Sequence, residues 1–310
     1  MTIAFGAGII TPIVTPIHQD ETINSPQLEN VINHIIEGGV DAIFPMGSTG
    51  EFARFDTETR NQVIAETIHA TAGRKPVYAG VGDTGLRKVI RNIAKAETLG
   101  ADVMVVTLPY YFPIRNDDEA VSFFTQAAAS TRKPVMLYNI PSTCGASISL
   151  DAMERLFEVD NIIGVKDSSG DKTRLEEEIR RFKNKGKDFA IVVGAEELTY
   201  AGLKAGADGL VPSLSNPFPR LWADIYASAL KKDWTRLKDL AAVVDEMNEL
   251  NKFSTAWMSP NVWRKKALAH MGICDDFLTQ PYVPVDDATD AKVQDAIRRY
   301  RAMYPEPVSA

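Results

Sequence analysis

Short apolar runs recur along the chain at 8–17, 42–48, 77–82, 103–111, 135–140, 162–169, 190–196 and 209–216, with room for a helix after each. Most are unbroken Val/Ile/Leu stretches, not apolar/polar alternations, which is how strands read when both faces of a parallel sheet are buried. The segment after the first run has the other period. Leu28, Val31, Ile32, Ile35 and Ile36 fall on one helical stripe. Ser25 is placed to cap its start, Pro26 suits its first position, and Gly38-Gly39 permits a left-handed exit. A second stripe, Leu86, Val89, Ile90 and Ile93, follows the third run.

Three joints repeat. Gly39-Val40-Asp41, Gly100-Ala101-Asp102 and Gly206-Ala207-Asp208 each end a helical pattern and lead at once into an apolar run. Eight βα units in ~220 residues suit a closed (β/α)₈ TIM barrel better than a doubly wound open sheet, the alternative fold. Beyond Asn216 the strands stop, and Leu237, Leu240, Ala241, Val244 and Met247 form another stripe, followed by helical stretches at 262–271 and 288–304. No Gly/Ser or charged linker separates this part. The reading is one domain, a barrel at 1–225 with a C-terminal helical extension at 226–310.

Composition narrows the partners. In 310 residues, 34 basic side chains are set against 41 acidic ones, a net charge of -7 that repels phosphate backbones and anionic lipid. Neither nucleic acid nor a membrane is expected as partner. No apolar stretch reaches the ~20 residues of a membrane helix, and the start shows no signal-peptide pattern. Cys144 and Cys274 are too few for a disulfide framework, so a cytoplasmic location is expected. His18, His34, His69 and His270 are scattered, without metal-ligand spacing. No metal or other cofactor is implied.

In a barrel the reacting groups lie at the carboxyl ends of strands. Lys166 ends the run Ile162-Ile163-Gly164-Val165, where a barrel interior would strip water from its amine and favour the neutral nucleophile. The plainer alternative is a strand-end lysine paired with Asp167 or Glu196. Tyr138, ending the neighbouring run, is suited to donating and recovering a proton, or simply to packing. Gly47-Ser48-Thr49-Gly50 offers hydroxyls and backbone N–H groups to a carboxylate.

Taken together, Gly-Ser-Thr-Gly-Glu at 47–51, Pro-Tyr-Tyr at 109–111, Tyr-Asn-Ile-Pro at 138–141 and Ile-Gly-Val-Lys-Asp at 163–167 resemble the dihydrodipicolinate synthase/N-acetylneuraminate lyase family of pyruvate-dependent class I aldolases. The likeness runs from about Gly8 to the C-terminal helices. It implies that Lys166 is the Schiff-base lysine and Tyr138 the proton donor and acceptor. Ser48 would link Tyr138 to a Tyr111 entering from a neighbouring subunit of a homo-oligomer, a dimer or tetramer. Thr49 and the nearby N–H groups would hold the carboxylate of a small 2-keto acid.

One departure bears on the second substrate. Synthases of this family carry an Arg two residues after the Pro of the Tyr-Asn-x-Pro motif, and this chain has Thr143 there. A hydroxyl cannot replace a bidentate guanidinium. The resemblance also places Glu196, Val211 and Ser213 beside the second substrate, where lyases put groups against sugar hydroxyls. The expectation is therefore a lyase or aldolase acting on a 2-keto-3-deoxy sugar acid or a related hydroxylated keto acid. The alternatives are a 4-hydroxy-tetrahydrodipicolinate synthase using aspartate semialdehyde, or a non-catalytic keto-acid-binding barrel.

Overall fold

The computed structural model describes residues 5–183, 185–253, 259–281 and 283–304. All eight apolar runs contain a strand: β1 (Gly8–Pro12), β2 (Ala42–Phe44), β3 (Tyr78–Gly80), β4 (Val103–Thr107), β5 (Val135–Asn139), β6 (Ile162–Asp167), β7 (Ala190–Val193) and β8 (Gly209–Leu210). Most stop short of the run that announced them. Ile13 and Val14 beyond β1, for example, are fully buried in irregular backbone. An apolar run records burial, and pairing ends first.

Pairing is parallel throughout, in the order β2-β1-β8-β7-β6-β5-β4-β3, and a parallel bridge from Ile43 to Val77 joins the two ends. The result is a nearly closed (β/α)₈ barrel, not a doubly wound sheet. Its helices are α1 (Ser25–Glu37), α2 (Thr57–Thr71), α3 (Leu86–Leu99), α4 (Asp117–Ala129), the single turn α5 (Pro141–Cys144), α6 (Leu150–Phe157), α7 (Lys172–Phe182), α8 (Thr199–Ala205) and α9 (Pro219–Leu230). The C-terminal helices follow as α10 (Trp234–Asn248), α11 (Ser259–His270) and α12 (Asp287–Met303).

One cap differs from the expectation. Asn24, not Ser25, caps α1: its side-chain oxygen accepts from the Gln27 N–H at 3.3 Å, and Ser25 is the first helical residue. The Asn carbonyl reaches a first-turn donor from one position earlier. The three repeated joints share one device. Asp41, Asp102 and Asp208 each accept from a backbone N–H of the preceding strand segment, that of Ile9, Val77 and Ile191 respectively, all at 2.8 Å. Each of these aspartates also donates its own N–H to that same residue's carbonyl, at 2.8–2.9 Å. The repeat is a strand-start clamp.

Alternation along the strands divides two cores. Ile10, Phe44, Val105, Met136, Tyr138 and Val192 fill the barrel, while Ile9, Ile43, Met104, Leu137 and Ile191 pack outward under the helices. The continuous apolar runs follow from both faces being covered.

Strand β6 breaks this alternation once. Val135 of β5 pairs with Ile162, but the next residue, Met136, pairs with Gly164, so Ile163 is an extra residue on β6. Ile162 and Val165 belong to the outer core, whereas Ile163 packs against the interior. An inserted residue flips every later side chain to the other face. Strict alternation from Ile162 would aim Lys166 outward; the bulge turns it in. Gly164 makes the bulge possible, since a Cβ there would lie 2.3 Å from the Ala190 carbonyl oxygen.

Candidate active site at the carboxyl end of the barrel

Lys166 and Tyr138 are Cα partners on adjacent strands, both pointing into the barrel. Lys166 is 4% exposed; its Nζ lies 3.9 Å from the centre of the Tyr138 ring and 5.1 Å from that of Phe44. Among the described residues it makes no salt bridge. The two acids considered as its partners are engaged elsewhere. Asp167 accepts from Arg174 Nε at 3.0 Å, and Glu196 accepts from the Arg264 guanidinium, also at 3.0 Å. A buried amine without a counter-ion among the described residues, over two aromatic faces, is held by cation–π attraction when protonated and is free to react when neutral.

The Tyr138 hydroxyl lies 3.4 Å from Ser48 Oγ. Ser48 and Thr49 sit on the turn after β2, which is bracketed by two non-glycine residues in the left-handed region, Met46 (φ 58°) and Glu51 (φ 59°). Such backbone strain persists where surrounding contacts impose it. Here Glu51 is anchored by Lys265 of α11, 2.9 Å away and, like Glu51, with a fully buried side chain, and by the Thr279 hydroxyl at 2.6 Å. Asn261 of the same helix donates to the Ser48 carbonyl at 3.2 Å. The N–H groups of Gly50 and Glu51 close the turn onto Gly47 and Ser48, whereas those of Ser48 and Thr49 bond to no acceptor among the described residues. They are available to an anion.

A cavity of about 180 Å³ opens beside Ser48, lined also by Glu51, Phe52, Ala53, Arg54, Thr107, Tyr110, Thr143 and Cys144. Thr143, on α5, donates to the Ile140 carbonyl at 3.2 Å and brings no charge to this wall. The remaining second-substrate candidates stand elsewhere at the strand ends. Val211 is 2% exposed and packs in the barrel interior with Tyr138 and Phe44. Ser213 donates to Glu196 Oε1 at 3.0 Å, and the same oxygen accepts the Leu214 N–H at 2.8 Å. Glu196 and Ser213 are therefore bonded to each other and tied to the C-terminal helices through Arg264. Tyr111 lies apart from the other site residues. It is 83% exposed at φ 81°, stacked edge-to-face on Phe112, itself 78% exposed, with ring centres 4.9 Å apart.

Several structural partners of the site were not singled out from sequence. Arg264 and Lys265 begin a run of three cations, Arg264-Lys265-Lys266, which reads as a solvated helix face. Arg174 and Glu178 of α7 have the ordinary composition of a solvated helix. Glu178 is nevertheless fully buried, with Oε1 2.9 Å from Arg174 Nε. Burial, then the neighbouring Asp167 carboxylate, push its carboxyl up to about 8. Near neutral pH it keeps its proton, leaving Arg174 to Asp167.

Residues 6–300 match the model of the dihydrodipicolinate synthetase family. The chain is 31% identical over 293 residues to a 4-hydroxy-tetrahydrodipicolinate synthase of Aromatoleum aromaticum, covering 94% of this chain and 97% of that protein. Among solved structures it resembles YagE, a prophage protein of the same family from Escherichia coli K12 crystallised with pyruvate (TM-score 0.90, 26% identity, 96% of this chain and 99% of that one). It also resembles the dihydrodipicolinate synthase of Acinetobacter baumannii, likewise complexed with pyruvate (TM-score 0.88, 28% identity, 95% and 99%).

Proposed function

The chain belongs to the dihydrodipicolinate synthetase family, whose members are pyruvate-dependent class I aldolases and lyases working through a Schiff base, and from this we propose that Lys166 forms that Schiff base. The observation that carries the assignment is the buried Nζ 3.9 Å over the Tyr138 ring, with no salt bridge among the described residues. In this reading the neutral amine attacks the keto carbon of the substrate, and the carbinolamine loses water to give an imine. Tyr138 supplies the proton that leaves with the hydroxyl as water, and the resulting phenolate then takes the proton of the C4 hydroxyl as the C3–C4 bond breaks. Cleavage of the C3–C4 bond leaves an enamine of pyruvate and an aldehyde; protonation at C3 and hydrolysis then release pyruvate and restore the lysine. The free N–H groups of Ser48 and Thr49 would hold the carboxylate. Tyr111, exposed in the single chain, would complete the relay through Ser48 in a homo-oligomer.

We place a 2-keto-3-deoxy sugar acid or similar hydroxylated keto acid as substrate, because Thr143 puts a neutral hydroxyl on the cavity wall. A missing charge-assisted hydrogen bond is worth roughly 1.5–3 kcal/mol, about 10- to 100-fold in specificity. Glu196 and Ser213, bonded to each other, add little to this choice, which rests on Thr143. Condensation of pyruvate with aspartate semialdehyde is the second reading, favoured by the name of the Aromatoleum relative.

Treatment with pyruvate and borohydride should add a reduced pyruvyl group at Lys166 alone, read by peptide mass, and Lys166→Ala should take up none. Label at another lysine, or none on the wild type, would refute the assignment. Pyruvate release from several 2-keto-3-deoxy sugar acids, run beside aspartate-semialdehyde condensation, decides the substrate. A kcat/KM for the semialdehyde above that for every sugar acid would install the second reading.

A further inference from the structure

We propose that Asn139 and Asp167 are positioning residues, which act through the backbones of β5 and β6 to hold Tyr138 and Lys166 in reacting register. The two pairs are consecutive. Tyr138 faces Lys166 inside the barrel, and one step along both strands Asn139 faces Asp167 on the outside. Asn139 Nδ2 donates to Asp167 Oδ2 at 2.6 Å, with both residues at most 2% exposed.

This bond belongs to a closed ring. Asn139 Oδ1 accepts the Ile148 N–H at 2.9 Å, the Ile148 carbonyl accepts from Arg174 at 2.7 Å, and Arg174 Nε donates to Asp167 Oδ2 at 3.0 Å. The other oxygen, Oδ1, accepts the Ser169 N–H at 2.9 Å. The ring stands where the β5–β6 ladder is about to end. After Asp167 a single backbone bond, from Ser168 N–H to the Asn139 carbonyl at 2.8 Å, continues it. Without the ring, the last residues of the two strands would be free to shear, and Lys166 would move relative to the tyrosine that exchanges its proton. A displacement of about 1 Å can cost a reaction 100-fold.

The proposal rests on Lys166 and Tyr138 being the reacting pair, and its test needs no second substrate. An enamine exchanges the C3 hydrogens of pyruvate with solvent, so deuterium uptake in D₂O, followed by NMR, reports imine formation and proton transfer together. The rate is expressed per Lys166 site, counted by borohydride trapping. Asn139→Ala and Asp167→Ala should each slow exchange per trapped site by about 10- to 100-fold. The double variant should be no slower than the worse single one, since all three lack the same bond. A contact that only stabilised the fold would lower the melting temperature and the number of trapped sites while leaving the rate per site alone, and that result overturns the proposal. Multiplying effects in the double variant overturn it too. Asn139→Ser, which leaves the Asp167–Arg174 pair in place, carries the test if Asp167→Ala does not fold. If the wild type takes no label at Lys166, the Schiff-base assignment falls and this inference with it; normal exchange in labelled variants sinks this inference alone.

Discussion

Glu178 carries the clearest pH consequence of any single residue. Its carboxyl is raised to about 8 by burial and by the Asp167 carboxylate, above the ordinary value that it regains on unfolding. Between those two values the folded protein holds a proton that the unfolded chain has released, so stability falls as pH rises through this window and levels off above about 8. Glu178→Gln keeps the shape and removes the titration. The melting temperature of the variant relative to wild type should therefore climb from pH 5 to pH 8.5, measured at constant ionic strength. A constant difference across that range would show that Glu178 is charged in the fold.

Among the elements, β6 shows how a local irregularity decides which face a side chain occupies. The extra residue between Ile162 and Gly164 restores Lys166 to the interior, and Gly164 fits only because its missing Cβ leaves room for the Ala190 carbonyl. Gly164→Ala should cost about 1–3 kcal/mol as the backbone shifts to admit the methyl group. Trapping of pyruvate at Lys166 should fall further than stability does, because the bulge sets the direction of the lysine. Thermal denaturation and borohydride labelling on the same preparation check both. A variant as stable as wild type that labels fully would show that the bulge tolerates a side chain.

At the scale of the whole molecule, the aromatic pair Tyr111–Phe112 is the most exposed apolar feature close in sequence to the site, and Tyr111 adopts a conformation unfavourable for a non-glycine residue. If it completes a neighbour's proton relay, activity requires association. Specific activity should then fall on dilution in step with the oligomer, followed by mass photometry or sedimentation. Tyr111→Phe should lower kcat by about 100-fold, the low end of what a general acid–base group contributes. Full activity in a monomer, or an unaltered Tyr111→Phe enzyme, would remove Tyr111 from the mechanism.

The pattern of apolar positions by itself determined eight strands, the helices between them and the helical C-terminal stretches, because burial on both faces and the 3.6-residue period are written locally. Motif identity brought Lys166, Tyr138 and Ser48 together, since each lies at or just beyond a strand end and barrel geometry converges those ends. What the sequence left undecided depends on partners distant along the chain. That Lys166 stands free of Asp167 and Glu196 follows from where Arg174 and Arg264 sit, and Arg264 is 68 residues from Glu196. The burial of Glu178 on a helix of polar composition, and the bonding of Ser213 to Glu196, likewise arise from packing between elements. The inward turn of Lys166 depends on one inserted residue, and no periodicity marks it: Ile162, Ile163 and Val165 are apolar on both faces, so either register would have read the same until the neighbouring strands fixed one of them.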